Sequence, residues 1–88
     1  MTTKILDSEI SLPISTGTAT SFNSATVVRL VNTDSSPHVV TIVETQNGAN
    51  IGSMTMASGS VEKIIKDAGH CVFADSILVK GTKVGFTN

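Results

Sequence analysis

The sequence predicts an antiparallel all-β domain, either a small β-sandwich or a closed barrel, on three observations. Val and Ile are the main apolar residues, and both favour strands because branching at Cβ restricts the side chain. Apolar and polar residues alternate in the strongest segments, and turn residues follow at intervals of about ten residues. No stretch keeps a helical period over several turns.

The strongest predicted strands are residues 25–32 and 38–45, ATVVRLVN and HVVTIVET. The turn between them contains Pro37, which cannot donate a hydrogen bond within a central ladder. The pair Asn47-Gly48, which follows the second strand, is typical of a hairpin turn. The predicted strands are, in order, 4–10, 18–22, 25–32, 38–45, 51–56, 61–66, 71–74, 77–79 and 83–86, the last two joined through Gly81 as an alternative.

Strand alternation also predicts which side chains form the core. Residues two apart on a strand share a face, so the most apolar face of each strand should turn inward. The predicted core between the two sheets is Val28, Leu30, Val40, Ile42, Ile65 and Phe73. Cys71, the single cysteine, lies in the short apolar run CVFA, and we expect it to be buried and inert.

The first 24 residues have a different composition from the remainder. They are rich in Ser and Thr with scattered Ile and Leu, which indicates an arm or edge strand at 1–24 rather than part of the sandwich core at 25–88. Residues 4–10 alternate and could add as a strand to a neighbouring subunit. The candidate protein-interface residues are Ile5, Leu6, Ile10 and Leu12.

Composition weighs against several classes of partner. The net charge is −1, 15% of residues are charged, and there are three Phe but no Tyr or Trp, so the sequence lacks the basic clusters and stacking rings of nucleic-acid binding. No apolar run approaches the ~20 residues of a membrane span. Asp7 and Glu9 interrupt the segment where a signal peptide would be apolar, so we expect synthesis in the cytoplasm.

No residue pattern predicts catalysis, a cofactor or a metal. His70 and Cys71 are adjacent, and neighbours on a strand point to opposite faces, so they are poorly placed to share a metal. Asp34 and Asp67 lie in predicted turns, where Asp bonds the local backbone. The glycines match neither a dinucleotide-binding fingerprint nor a P-loop. We therefore expect a protein that is not an enzyme.

Residues 25–86 carry a recognisable order of strands and turns: VVRLVNTDSSPHVVTIVET, then NGANIGSMTMASGSVEKIIKDAGHCVFAD, then SILVKGTKVGF. This pattern resembles small virion structural proteins of tailed marine phages, in particular those of cyanobacterial phages. The resemblance implies a non-enzymatic β-sandwich that is located in the virion and binds other virion proteins. Our leading expectation is a capsid decoration protein that binds the major capsid protein, and we expect a homo-oligomer. Alternatives are a head–tail connector, a tail or fibre component, or a small carbohydrate-binding or adhesion module.

Overall fold

Eight strands form two antiparallel sheets, and a computed structural model describes them over residues 2–87. The larger sheet has the order β1/β2–β8–β3–β6, with β1 and β2 one after the other along the same edge of β8, and the smaller sheet has the order β5–β4–β7. The elements are β1 Thr2–Ile5, β2 Ile10–Ser11, a 3-10 turn Thr16–Thr18, β3 Val27–Asn32, β4 His38–Val43, β5 Asn50–Met56, β6 Val61–Ile65, β7 Cys71–Ala74 and β8 Val79–Thr87.

This architecture confirms the antiparallel all-β sandwich, and the sheets do not close into a barrel. Most predicted strands lie within about two residues of the observed bounds. The predicted strand 4–10 is divided into β1 and β2, and 18–22 is reduced to one bridge between Thr20 and Val72. The two last predicted segments form one strand, in which Gly81 packs so closely that a Cβ would lie 2.8 Å from both Leu30 and Phe22.

The core lies between the facing sheets. Val28, Leu30 and Val40 are buried there as predicted, and Ile42 packs partly buried against them. Burial of this apolar surface is the main stabilising contribution to the fold, at about 25 cal/mol per Å². The other buried members of this core are Leu12, Phe22, Ala25, Met56, Val72, Ala74 and Val79.

The core prediction is wrong for two residues. Ile65 pairs with the outward-facing Val27 and is 82% exposed, and its neighbour Ile64 takes the inward position. Phe73 lies on the outer face of the smaller sheet, where it packs half-buried against a second cluster of Ala19, Val43 and Cys71. Both errors have the same cause. Where two neighbouring residues on a strand are both apolar, alternation does not decide which of them faces the core.

The N-terminal segment belongs to the sandwich. It supplies edge strands, one of the two forms predicted for it, but it also contributes to the core, which the prediction excluded. Leu12, Ala19 and Phe22 are at most 6% exposed. The Leu12 amide donates to the Val79 carbonyl at 2.8 Å, and the Pro13 carbonyl accepts from the Ala74 amide at 2.9 Å. The segment therefore closes both sheets, with β1 and β2 as edge strands. In residues 2–87, no helix is long and apolar enough to cross a membrane.

Candidate interaction surface

An apolar row crosses the outer face of the larger sheet. The ladders pair Ile5 with Val84 and Val27 with Ile65. The β3–β8 ladder ends at Val28 and Lys83, and its continuation by one position sets Val84 beside Val27. Val84 is 3% exposed, whereas Ile5 and Ile65 at the two ends are 74% and 82% exposed. These two ends are the most exposed large apolar side chains of the described residues. Ile5, Val84, Val27 and Ile65 are called the apolar row below.

A lysine spans the same face. Lys63 on β6 donates to Thr3 Oγ1 at 2.8 Å, and its Nζ lies 5.6 Å from the centre of the Phe86 ring. Its aliphatic stem therefore covers apolar surface while its ammonium contacts the aromatic ring. Phe86 remains 40% exposed, so it enlarges the apolar part of this face.

An open depression of about 610 Å³ adjoins the apolar row. Arg29 and Glu9 form an exposed ion pair across it, with 3.6 Å between Nη1 and Oε2. Thr82 Oγ1 donates to the Asp7 carbonyl at 2.8 Å and fixes the chain after β1. Exposed pairs of this kind contribute little to stability, so their charges are available to a partner. The lining residues are Thr3, Ile5, Asp7, Ser8, Glu9, Arg29 and Thr82.

Of the four residues that the sequence suggested as interface candidates, the structure exposes three and buries one. Ile5, Leu6 and Ile10 are 74%, 46% and 43% exposed, but they do not share a face, since Ile5 points outward and Leu6 lies against Gly85. Leu12 is 1% exposed in the chain's own core, so its selection as an interface residue is wrong. Sequence reasoning missed the outward orientation of Ile65, which needed the β6 register.

A second apolar feature lies where the two sheets separate. A cavity of about 170 Å³ opens between β5 and β6, the last strands of the two sheets on that side. It has the size of cavities that take a benzene-sized group, well below the volume of a typical small-molecule site. The lining residues are Val40, Ile42, Gly52, Ser53, Met54 and Ile64.

His38 connects two carboxylates at one end of the sandwich. Its Nε2 lies 2.6 Å from Asp34 Oδ2, and its Nδ1 lies 2.8 Å from Asp75 Oδ1. Carboxylates only accept hydrogen bonds, so the ring nitrogen that bonds Asp34 is the donor, and protonation of the ring lets the second nitrogen donate to Asp75. The hydrogen bond to Asp34, aided by the nearby Asp75 charge, raises the pKa of His38, and the same hydrogen bond lowers the pKa of Asp34.

This His38 cluster joins two loops. Asp34 and Asp75 occupy the two ring nitrogens of His38, one on each side. Asp34 belongs to the β3–β4 turn and Asp75 follows β7, so the cluster fastens one loop to the other. Across residues 2–87, no group of three His, Cys, Asp or Glu side chains is arranged to hold a metal ion.

Asn32 organises the same end of the molecule. Its buried Nδ2 donates to the carbonyls of Ser36 and Met56 at 3.0 Å and of Ala57 at 3.3 Å, and its Oδ1 accepts from the Asp34 amide at 3.0 Å. One side chain thus satisfies backbone groups of two loops. No feature of the sequence distinguishes this Asn from the turn asparagines.

The other candidate residues are packing elements. Cys71 is 8% exposed and lies 3.7 Å from the Gly69 carbonyl, as its predicted burial requires. Met56 is buried in the main core, and Met54 lines the cavity. The Lys66 ammonium, which sequence reasoning did not single out, donates to the Ala25 carbonyl at 2.6 Å, and burial lowers its pKa.

Comparison of this chain with protein-family models, curated proteins and solved structures found no significant match.

Proposed function

We propose that this chain is a non-enzymatic structural protein of a tailed-phage virion, a capsid decoration protein that binds the lattice of the major capsid protein. The resemblance of residues 25–86 to small phage virion proteins motivates the proposal. The observation that carries it is the outer face of the larger sheet, where the apolar row, Phe86 and the adjoining depression form a mixed apolar and polar surface.

The composition of this face fits a protein partner. Protein interfaces combine a buried apolar centre with a polar rim that includes Arg. Ile5 and Phe86 supply apolar area, and Arg29, Glu9 and Lys63 supply charges around it. A domain of this size gains stability by mass action when a partner binds only its folded state.

A carbohydrate-binding module is less well supported by the same surface. Such modules stack sugars on exposed aromatic rings, and here Phe22 is buried and Phe73 is half-buried in the outer cluster of the smaller sheet. Phe86 is exposed, but the Lys63 ammonium lies 5.6 Å from the centre of its ring.

Cosedimentation with phage capsids that lack the protein tests the proposal. We expect the purified chain to bind saturably, and Ile5→Lys to weaken binding at least tenfold, because a charge would replace an apolar contact. Ile77→Lys is the matched control: Ile77 is 59% exposed but lies in the loop before β8. Absence of binding by the unsubstituted chain, or equal binding by both variants, would contradict the proposal.

A further inference from the structure

The free edges of β1 and β6 are complementary to each other. The larger sheet begins with β1 and ends with β6, and within residues 2–87 each of these strands has a ladder partner on one side only. Unpaired strand edges expose backbone donors and acceptors and are templates for pairing with another chain. From this geometry we infer that β1 of one copy pairs antiparallel with β6 of a second copy, so that the larger sheet continues from molecule to molecule.

The direction of the strands permits this continuation. β1 is antiparallel to β8, β8 to β3, and β3 to β6, so β1 and β6 run in opposite directions. A second copy placed beside the first in the same orientation therefore presents β1 antiparallel to β6. The contact joins two different edges, so it is heterologous, and repetition gives a ring or a filament.

Backbone hydrogen-bonding direction selects a register. The Leu6 amide donates to Lys83 on β8 and the Lys66 amide donates to Thr26 beside β3, so the amides of Ile5 and Ile65 point to the free edges. Opposite residues in an antiparallel pair exchange both backbone bonds when both sets of groups face the partner. Pairing Ile5 with Ile65 meets this condition.

The same register continues the side-chain pattern on both faces. On the outer face it sets Ile5 beside Ile65, so the apolar row of one molecule continues into that of the next. The two most exposed apolar side chains then contact each other, and the outward surface of the row stays open to a further partner. On the inner face it sets Leu6 opposite Ile64, which lines the 170 Å³ cavity. Both faces of the junction are therefore apolar.

Charge does not oppose the junction. The register places Lys4 opposite Lys66, but the Lys66 ammonium points away into a set of backbone carbonyls and the residue is 6% exposed. The two like charges are therefore kept apart.

This self-association deepens the proposed function, because a continued sheet would let neighbouring copies bind a capsid array cooperatively. Only this biological role rests on the proposed function; the strand pairing itself does not. The isolated chain tests it without capsids, so its failure is distinguishable from failure of capsid binding. Sedimentation equilibrium should show concentration-dependent association that Ile65→Lys weakens roughly ten- to a hundredfold. Ile77→Lys, a substitution at a loop residue that is 59% exposed, should leave association unchanged.

Disulfide trapping tests the register. In a Cys71→Ala background, a mixture of Ile5→Cys and Ile65→Cys chains should form a disulfide-linked heterodimer, because hydrogen-bonded opposite residues lie about 5.5 Å apart, within disulfide range. Each chain of the mixture carries a single cysteine, so the bond must join two molecules. A mixture of Ile14→Cys and Ile77→Cys chains, both positions being 59% exposed, controls for random collision.

Three results would overturn the inference. The first is a monomer at about 1 mM in sedimentation. The second is a trapping yield no higher than that of the Ile14 and Ile77 control. The third is efficient dimerisation of Ile65→Cys chains alone, which would show β6 pairing with β6 instead of with β1.

Discussion

Truncating Leu12 should destabilise the fold severely, because this residue is part of the core. Leu12→Ala removes three carbon atoms from a side chain that is 1% exposed. At about 0.8 kcal/mol per buried carbon, the lost transfer free energy is about 2.4 kcal/mol. A residual cavity of roughly 40 Å³ adds about 1 kcal/mol at about 24 cal/mol per Å³. The expected loss in unfolding free energy, about 3.4 kcal/mol, is a large part of the roughly 4–13 kcal/mol available to a chain of this length.

Urea denaturation followed by circular dichroism measures this loss. With a slope of about 1 kcal/mol per M, the midpoint should fall by about 3 M, or the variant should be unfolded in buffer. Ile14→Ala, two residues away and 59% exposed, is the control and should lose about 1 kcal/mol or less. If Leu12→Ala unfolds at the midpoint of the unsubstituted chain, residues 2–24 are an arm outside the core.

Three further predictions concern pH, reactivity and packing. Asp34 and Asp75 raise the pKa of His38, so the cluster stabilises the fold fully below about pH 6.5, and this stabilisation is lost as pH rises through the raised pKa. The urea midpoint should therefore fall over this pH range, and His38→Gln should abolish the fall. Cys71 should react with a thiol reagent only after denaturation, and rapid labelling of the folded chain would disprove its burial. Gly52→Ala should raise the unfolding free energy by about 0.4–1 kcal/mol, since a Cβ there meets nothing within 4 Å; a lower midpoint would show that the site needs Gly.

The fold class followed from local patterns in the sequence. The alternation in residues 25–32 and 38–45 placed Val28, Leu30 and Val40 in the core, as observed. The segment 71–74 was bounded correctly because an apolar run of four residues stands between two turns. These successes depend on the two-residue period of strands, which the sequence carries directly.

The errors arose where pairing between distant segments decides the outcome. Alternation within VEKIIK does not say whether Ile64 or Ile65 faces inward, and only the register with β3 resolves it. The Ser/Thr-rich composition of residues 1–24 concealed the few apolar residues that matter, Leu12, Ala19 and Phe22. Their burial depends on contacts with β7 and β8, which lie more than fifty positions away in the sequence.

The candidate surface was only partly predictable for the same reason. Ile5 was selected because the segment around it alternates, but its partners in the apolar row come from β8, β3 and β6. The His38 cluster joins Asp34 and Asp75, which are far apart in sequence. Neither constellation has a local motif, so both required the sheet topology.

Quantitative mass spectrometry of purified phage particles from the source of this chain tests the proposed decoration function most directly. The proposal predicts that the chain is a particle component with a copy number in a fixed ratio to that of the major capsid protein. Absence from the particle would contradict the virion function. A copy number matching a single ring at the neck or tail would contradict its decoration role.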